Sequence, residues 1–294
     1  MGGTYVAQCL VGKSDGDMLN KEDQGSAESQ WDTGTHPDFY NHYEQHSVSP
    51  ASLARFCGIR DALLRALAQG GHAAKPLDVL DIGCNAGAQA CFWLEKEHRY
   101  CGIDINAPLI ELARQRATEA GLPAKFEVGS ATHLPFPDGG FDVCIMPELL
   151  EHVVEWQACL DEAVRVLRPG GVLYLSTSNW LCPVQQEFNL PCYSWYPPFL
   201  KRYYERRAVT DRPDLANYAK YPAVNWFSVY GLRAYLEPRG FACLDRFDLV
   251  DVSDKGKAAQ LVLMMLRNLP PLRLLGHVMT PYTVLVARKS PTPG

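Results

Sequence analysis

The sequence lacks the patterns that mark several specialised classes of protein. Its ten cysteines include no C-x-x-C pair and are scattered singly, which favours buried free thiols in a reducing compartment over a disulfide framework. No apolar run approaches the ~18 residues that a membrane-spanning helix needs. Basic residues are not in surplus either, since the formal net charge is -5. A protein whose main task is to bind nucleic acid through the phosphate backbone is therefore not indicated.

A secretory signal is also missing from the N-terminus. The apolar stretch from Tyr5 to Val11 is too short, and Lys13 and Asp15 follow it at once. The composition, 47% apolar and 21% charged over 294 residues, is that of an ordinary globular protein. We therefore expect a cytoplasmic protein.

The most informative stretch is residues 77–87, which read LDVLDIGCNAG. A short apolar run ending at Ile82 predicts a buried parallel strand, and Gly83 and Gly87 predict a tight loop after it. A helical pattern follows from Ala88 to Leu94, and a second strand ends in Asp104. Strand, glycine loop, helix and strand together predict a nucleotide-binding βαβ unit.

The loop differs from the dinucleotide pattern G-x-G-x-x-G because it reads D-x-G-x-x-x-G. Asp81 would repel a pyrophosphate but suits a ligand with an ammonium group. Asp104, 21 residues after Gly83, is placed to accept hydrogen bonds from ribose hydroxyls. S-adenosylmethionine, which has an amino-acid end, a ribose and no phosphate, satisfies both conditions.

Strands and helices alternate along most of the remaining chain, which predicts an α/β fold. We expect a doubly wound, mostly parallel, seven-stranded Rossmann-like sheet. Its strands are predicted at 77–82, 100–104, 125–128, 141–146, 172–178, 241–250 and 283–287. The expected divisions are a flexible arm (1–30), a helical lid or cap (31–76), a cofactor-binding core (77–179), an aromatic insertion (180–226) and the C-terminal part of the fold (227–290).

Two segments outside the core have more than one interpretation. The segment 31–76, with aromatic and histidine residues followed by a helical pattern, fits a lid over the cofactor or a cap on the sheet. The insertion 180–226 contains three of the six tryptophans and six tyrosines. It lies where substrate-binding loops lie, so we favour an acceptor pocket over a homodimer interface.

The segment 258–275 is strongly apolar, with Lys255, Lys257, Arg267 and Arg273 around it. A basic amphipathic element of this kind can lie on a membrane surface or admit a lipid tail. Packing on the core or on a partner chain is the simpler interpretation.

The catalytic candidates follow the fourth strand, in the sequence Glu148-Leu149-Leu150-Glu151-His152. Positions i, i+3 and i+4 share one helix face, so two carboxylates and an imidazole are expected to converge. His152 could be a general base held by Glu151 or Glu148. Alternatively, Glu148, Glu151 and His152 could bind a hard divalent ion such as Mg²⁺.

These motifs, with Leu134-Pro135-Phe136, Phe141-Asp142-Val143 and residues 166–171 (VLRPGG), resemble the class I S-adenosylmethionine-dependent methyltransferases. The resemblance covers roughly residues 77–180. It implies a Rossmann-like fold and S-adenosylmethionine as cofactor. The cofactor-binding residues that it implies are Asp81, Gly83, Cys84, Asn85, Gly87, Asp104, Ile105, Ser130, Ala131 and Met146. Ser130 stands where the family usually has an acidic residue for the adenine amino group.

Within that family, Glu-x-x-Glu-His resembles the O-methyltransferases of ubiquinone biosynthesis. The resemblance implies that Glu148, Glu151 and His152 are metal ligands. The chain departs from that pattern at Trp180, where an Arg is usual, and in the long insertion. Small-RNA 2′-O-methyltransferases share the motif, but the acidic net charge disfavours RNA.

The sequence therefore predicts methyl transfer from S-adenosylmethionine to a small or lipid-like acceptor, at a hydroxyl oxygen. Transfer to nitrogen or carbon of a secondary metabolite or sugar is the alternative. A catalytically idle methyltransferase fold that acts as a binding module is a third reading.

Overall fold

The computed structural model describes residues 49–71, 76–217, 222–252 and 255–291, and elements are numbered over those ranges. The predicted arm (1–30) and the start of the predicted lid (31–48) lie outside the described residues. No helix in the described ranges is long and apolar enough to cross a membrane.

The described residues form a seven-stranded sheet. Its strands are β1 (Asp78–Ile82), β2 (Arg99–Asp104), β3 (Lys125–Val128), β4 (Phe141–Pro147), β5 (Leu167–Ser178), β6 (Phe241–Asp245) and β7 (Tyr282–Lys289). Their order across the sheet is β3-β2-β1-β4-β5-β7-β6. Strands β1 to β5 pair in parallel, whereas β7 is antiparallel to β5 and β6. The order reverses between β1 and β4, and ligands bind at such a switch point, beyond the carboxyl ends of the strands.

Helices connect the strands and cover the sheet. They are α1 (Pro50–Gln69), α2 (Ala90–Leu94), α3 (Ala107–Glu119), α4 (Trp156–Val166), α5 (Pro198–Thr210), α6 (Val229–Leu236), α7 (Arg246–Leu249), α8 (Lys257–Asn268) and α9 (Pro270–Val278). Helix α1 begins at Pro50, because the Ser49 hydroxyl accepts the Ser52 N–H at 3.2 Å and caps the first turn. Its second half, including Leu63, is buried against the strand residues Val79 and Val143.

Two predicted elements are wrong in their extent. The strand predicted over 241–250 ends at Asp245, where a capping box with Asp248 begins helix α7. The apolar segment 258–275 is divided between α8 and α9, because Pro270 cannot continue α8 and instead occupies the first turn of α9. The two helices together form the segment that we call the C-terminal helix pair (257–278).

The aromatic insertion has a small core of its own. Buried Phe188 and Tyr193 stack with ring centroids 4.0 Å apart, and Tyr193 also meets Trp226 edge to face at 5.6 Å. Tyr196 packs on this cluster, while Trp195 remains 55% exposed. The aromatic residues thus mainly hold the insertion together.

Candidate active site

The glycine loop after β1 is fastened to the end of β2. The N–H groups of Gly83 and Cys84 both donate to the carbonyl of Ile103, at 2.8 and 3.1 Å. Gly83 and Gly87 have φ of +78° and +70°, a region that favours glycine. A Cβ on Gly87 would also lie 2.6 Å from the Phe126 ring. The two glycines therefore set the path of the loop.

Asp81 is a buried carboxyl with one unsatisfied oxygen. Its Oδ2 accepts from the Tyr100 hydroxyl at 2.6 Å and from Gln89 Nε2 at 3.1 Å. Its Oδ1 is buried without a hydrogen-bond partner in the described chain. Burial raises the pKa of Asp81 to about 7. A cation placed beside this carboxyl would stabilise its ionised form.

Asp104 at the end of β2 fixes the neighbouring backbone. Its Oδ2 accepts the Asn85 N–H and its Oδ1 accepts the Asn106 N–H, both at 2.9 Å. Burial raises its pKa from the ordinary value. A carboxylate oxygen can accept more than one hydrogen bond, so both oxygens still have acceptor capacity.

The segment 148–152 is not the predicted helix. It is a bend followed by a turn, with Glu148 at φ +52°, and helix α4 begins only at Trp156. The end of the insertion holds the turn, because Asn225 Nδ2 donates to the carbonyls of Leu150 and Val153. Glu148 and His152 still line one cavity, but through this turn and not through helical spacing.

The predicted metal site does not fit this geometry. Glu151 is fully buried, its Oε2 accepts from the Thr177 hydroxyl at 2.7 Å, and burial with the nearby charge of Glu187 raises its pKa to about 8. Glu148 forms an ion pair with Arg55. Within the described ranges, no group of three His, Cys, Asp or Glu residues could hold a metal ion. The assignment of Glu148, Glu151 and His152 as Mg²⁺ ligands is therefore wrong for this arrangement.

A cavity of about 350 Å³ lies at the switch point of the sheet. Six predicted site residues line it, namely Asp81, Gly83, Cys84, Asn85, Glu148 and His152. The glycine loop and the turn at 148–152 also touch each other, because a Cβ on Gly83 would lie 3.0 Å from the Leu149 side chain. The cofactor candidates and the catalytic candidates thus share one space.

Other predicted cofactor residues do not line this cavity. Asp104 and Gly87 support the loop from behind, and Ile105 is 37% exposed beside Asp104. The Ser130 hydroxyl accepts the Thr132 N–H at 3.2 Å, and Ala131 packs against the core. Met146 is fully buried in the core, so its side chain cannot contact a ligand.

The cavity is also lined by residues that the sequence analysis did not single out. Helix α1 contributes Ser52, Arg55 and Phe56, and Gln89 lies beside Asp81. The insertion contributes Glu187, together with Ala216, Asn217 and Pro222. Trp195 and Tyr196, two aromatic residues of the insertion, are not among the lining residues.

Comparison with known proteins finds similarity to methyltransferases in the core of the chain. A family model described as a methyltransferase domain matches residues 80–175. A protein named "Probable tocopherol O-methyltransferase, chloroplastic" from Oryza sativa subsp. japonica is 33% identical over 162 residues, which are 54% of this chain and 45% of that protein. These matches confirm, for this domain, the resemblance to the class I S-adenosylmethionine-dependent methyltransferases.

Other relatives of the chain are named for methyl transfer to different atoms, nitrogen in one case and oxygen in another. Norajmaline N-methyltransferase from Rauvolfia serpentina is 31% identical over 144 residues, 48% of this chain and 49% of that protein. Ubiquinone biosynthesis O-methyltransferase from Chelativorans sp. (strain BNC1) is 30% identical over 137 residues, 46% and 53% of the two chains. The chain thus spans about half the length of the curated relatives that it matches.

A solved structure agrees at the level of the fold. A protein from Pyrococcus horikoshii OT3 superposes with a TM-score of 0.51 and is 16% identical in sequence. The superposition covers 87% of this chain and 99% of that chain. The residues present also fit the family's cofactor, because the unpaired Oδ1 of Asp81 belongs to a residue that lines the cavity. A ligand ammonium would satisfy it.

Proposed function

We propose that this protein transfers the S-methyl group of S-adenosylmethionine to a hydroxyl oxygen of a small or lipid-like acceptor. The observation that carries the proposal is the single cavity lined on one side by Asp81 and the glycine loop and on the other by His152 and Glu148. Bringing an acceptor into line with the methyl group supplies most of the rate of such a reaction.

S-adenosylmethionine supplies an electrophilic methyl group on a good leaving group. Asp81 would bind its ammonium group, and the loop at 83–87 would bind its amino-acid end. Asp104 would accept hydrogen bonds from the ribose hydroxyls, with Ile105 beside the sugar. Ser130 and Ala131 are the residues that the family resemblance assigns to the neighbourhood of the adenine.

His152 would remove the proton from the acceptor hydroxyl. His152 and Glu148 both line the cavity. The backbone N–H of His152 donates to the carbonyl of Leu149 at 3.0 Å, which helps to fix its backbone in the turn. Arg55 holds the Glu148 carboxylate through an ion pair. The imidazole is therefore the candidate base, and Glu148 is the candidate group that orients it.

Transfer to nitrogen is the second candidate. The cavity is lined by three carboxyl groups, Asp81, Glu148 and Glu187, and by one guanidinium, Arg55. Such a lining suits an acceptor that carries an amine. One of the relatives above is named as an N-methyltransferase, which supports the same alternative.

Incubation with S-adenosylmethionine labelled in its methyl group tests the proposal. The acceptors would be a panel of phenols, hydroquinones, amines and sugars, and the products would be separated by mass spectrometry. Label in a methyl ether supports the proposal, and label on nitrogen or carbon supports the alternative. Cofactor binding without transfer to any of the acceptors would instead support a binding module.

Helix α1 and the insertion would enclose the acceptor. The first turns of α1 reach the cavity through Ser52, Arg55 and Phe56, which supports a lid in the segment 31–76. Glu187 and Asn217 support an acceptor wall formed by the insertion 180–226. In this reading the core spans 77–179, and 227–290 completes the fold. Location in the cytoplasm stays a prediction.

The C-terminal helix pair would place the enzyme on a lipid surface. Leu261, Val262, Leu275 and Met279 are each more than half exposed. Between 255 and 280 the sequence has four Lys or Arg residues and no Asp or Glu. Exposed apolar groups with basic residues favour the interface of an anionic membrane.

Sedimentation with phosphatidylglycerol-containing vesicles tests this contact. We expect binding that Leu275→Glu abolishes and that Val154→Glu, a matched change at a residue 77% exposed elsewhere, leaves intact. Light scattering that shows a dimer, disrupted only by Leu275→Glu and without vesicle binding, would contradict the membrane contact and support a homodimer.

A further inference from the structure

Glu187 is the acidic residue that the insertion adds to the cavity. It stands immediately before buried Phe188, whose N–H donates to Gln185 Oε1 at 2.8 Å and whose ring stacks on Tyr193. The insertion's own core therefore fixes the backbone beside it. Sequence reasoning gave this residue no role, and neither the methyl group nor its acceptor proton requires it in the proposed reaction.

No basic side chain of the described ranges forms an ion pair with Glu187. Arg55, the guanidinium of the cavity, is paired with Glu148. Two cations of the insertion, Lys201 and Arg207, have other partners. Lys201 Nζ donates to the Ser194 carbonyl at 2.8 Å and lies 4.6 Å from the Trp226 ring. Arg207 is paired with Asp211. The charge of Glu187 is thus left for a ligand to balance.

The groups around Glu187 increase its need for a cation. Glu148, in the turn after β4, acts on it as a like charge, and the charge of Glu187 in turn raises the pKa of buried Glu151. Burial and the charge of Glu148 raise the pKa of Glu187 to about 7. Glu187 is partly buried, and a desolvated carboxylate among like charges is costly unless a positive charge compensates it.

We infer that Glu187 recognises the acceptor by binding a positively charged group, such as a protonated amine, and that the cavity thereby excludes anionic acceptors. The inference rests on the proposed function, since it concerns the acceptor of that methyl transfer. It applies equally to transfer to oxygen or nitrogen, because the recognised cation need not be the atom that is methylated. An anion in the same position would face both Glu187 and Glu148.

A pair of catechols that differ in charge tests this inference. Dopamine carries an ammonium group, whereas 3,4-dihydroxyphenylacetate carries a carboxylate at the same distance along the chain. Calorimetry would measure the binding of each to the full-length protein saturated with S-adenosylhomocysteine at pH 7. We expect dopamine to bind at least about fivefold more tightly, the effect of one charge contact near 4 Å in a water-like medium.

Variants separate recognition from general effects on the insertion. Glu187→Gln should reduce the preference for dopamine by about the same fivefold factor, and Glu187→Asp should retain part of it. Glu205→Gln removes a half-buried carboxylate from α5 that does not line the cavity, so it should keep the full preference. The wild-type comparison does not depend on any variant and remains decisive if Glu187→Gln fails to fold.

Several outcomes would overturn the inference. These are equal binding of the two catechols, tighter binding of the acid, no binding of either, or a preference that Glu187→Gln leaves intact. A wild-type protein that methylates acceptors but shows no charge preference would retain the proposed function and lose the inference. A clear preference for dopamine without methyl transfer to any acceptor would retain the inference and contradict the proposed function.

Discussion

Replacing Asp81 with Asn gives a direct test of how the cavity binds its cofactor. The carboxyl is 1% exposed, its Oδ2 holds Tyr100 and Gln89, and its Oδ1 is unpaired. Only the ionised form can balance a ligand ammonium, and burial raises the pKa to about 7. The apparent affinity for S-adenosylmethionine should therefore follow the ionised fraction of Asp81.

The size of the effect follows from that pKa. Between pH 5.5 and 7.0 the ionised fraction of a group with pKa about 7 rises by roughly tenfold, so wild-type affinity should rise by about the same factor. Asp81→Asn should lose about 1.5–3 kcal/mol of binding free energy at pH 7, the value of a hydrogen bond to a charged group. Its affinity should be nearly independent of pH over this range.

Titration calorimetry at both pH values measures this effect, with Asp211→Asn as a matched control. Asp211 pairs with Arg207 on the surface of α5 and does not line the cavity, so its variant should behave like the wild type. An Asp81→Asn protein with wild-type affinity and the wild-type pH dependence would refute the assignment of Asp81 to the ammonium group.

Four further predictions concern stability and catalysis. Asp81 should make the wild type less stable as pH rises from 3.8 to about 7, because the unfolded chain releases a proton that the folded protein keeps. Denaturant unfolding of Asp81→Asn should show a smaller decline, since Glu151 and Glu187 still contribute theirs. Gly87→Ala should lower the free energy of unfolding by about 2–4 kcal/mol, because the new methyl group meets Phe126 at positive φ, and a loss under about 1 kcal/mol would contradict the contact. Asp104→Ala should weaken S-adenosylmethionine binding by about 1–3 kcal/mol in calorimetry, and unchanged binding would remove its ribose role. His152→Ala should abolish turnover but leave cofactor affinity unchanged, and turnover by the variant would contradict its role as general base. EDTA should not inhibit the wild type, and inhibition that Mg²⁺ reverses would contradict catalysis without a metal ion.

Most of the fold could be predicted because its signals are local. Apolar runs and the glycine loops beside them predicted the five strands that precede the insertion. The two errors in extent also had local signals. Asp245 and Asp248 have the spacing of a capping box, and Pro270 follows the end of α8. Strand β6 was extended too far because apolar residues continue beyond Asp245.

The walls of the cavity depend on contacts that no local pattern reveals. Asp81 could be found because it directly precedes the glycine loop. The turn at 148–152 was predicted as a helix, since nothing near it in the sequence reveals that the carbonyl of Glu151 will accept the N–H groups of Val224 and Asn225. Glu187 reaches the cavity only because the insertion folds back over the sheet and packs on its own aromatic residues.

Two carboxyls that line the cavity, Asp81 and Glu187, need positive charge beside them when they are ionised. Asp81 and Glu187 are both carboxyls with a pKa raised to about 7, and burial is the first cause in each case. An ionised carboxyl in such a site lowers the stability of the protein. Two of them in one cavity are favourable only if bound ligands supply positive charge to both. The ammonium of S-adenosylmethionine can balance only the carboxyl at the glycine loop. The sulfonium of S-adenosylmethionine loses its positive charge when the methyl group leaves, so in our proposal a cationic acceptor supplies the charge that balances Glu187 throughout the reaction.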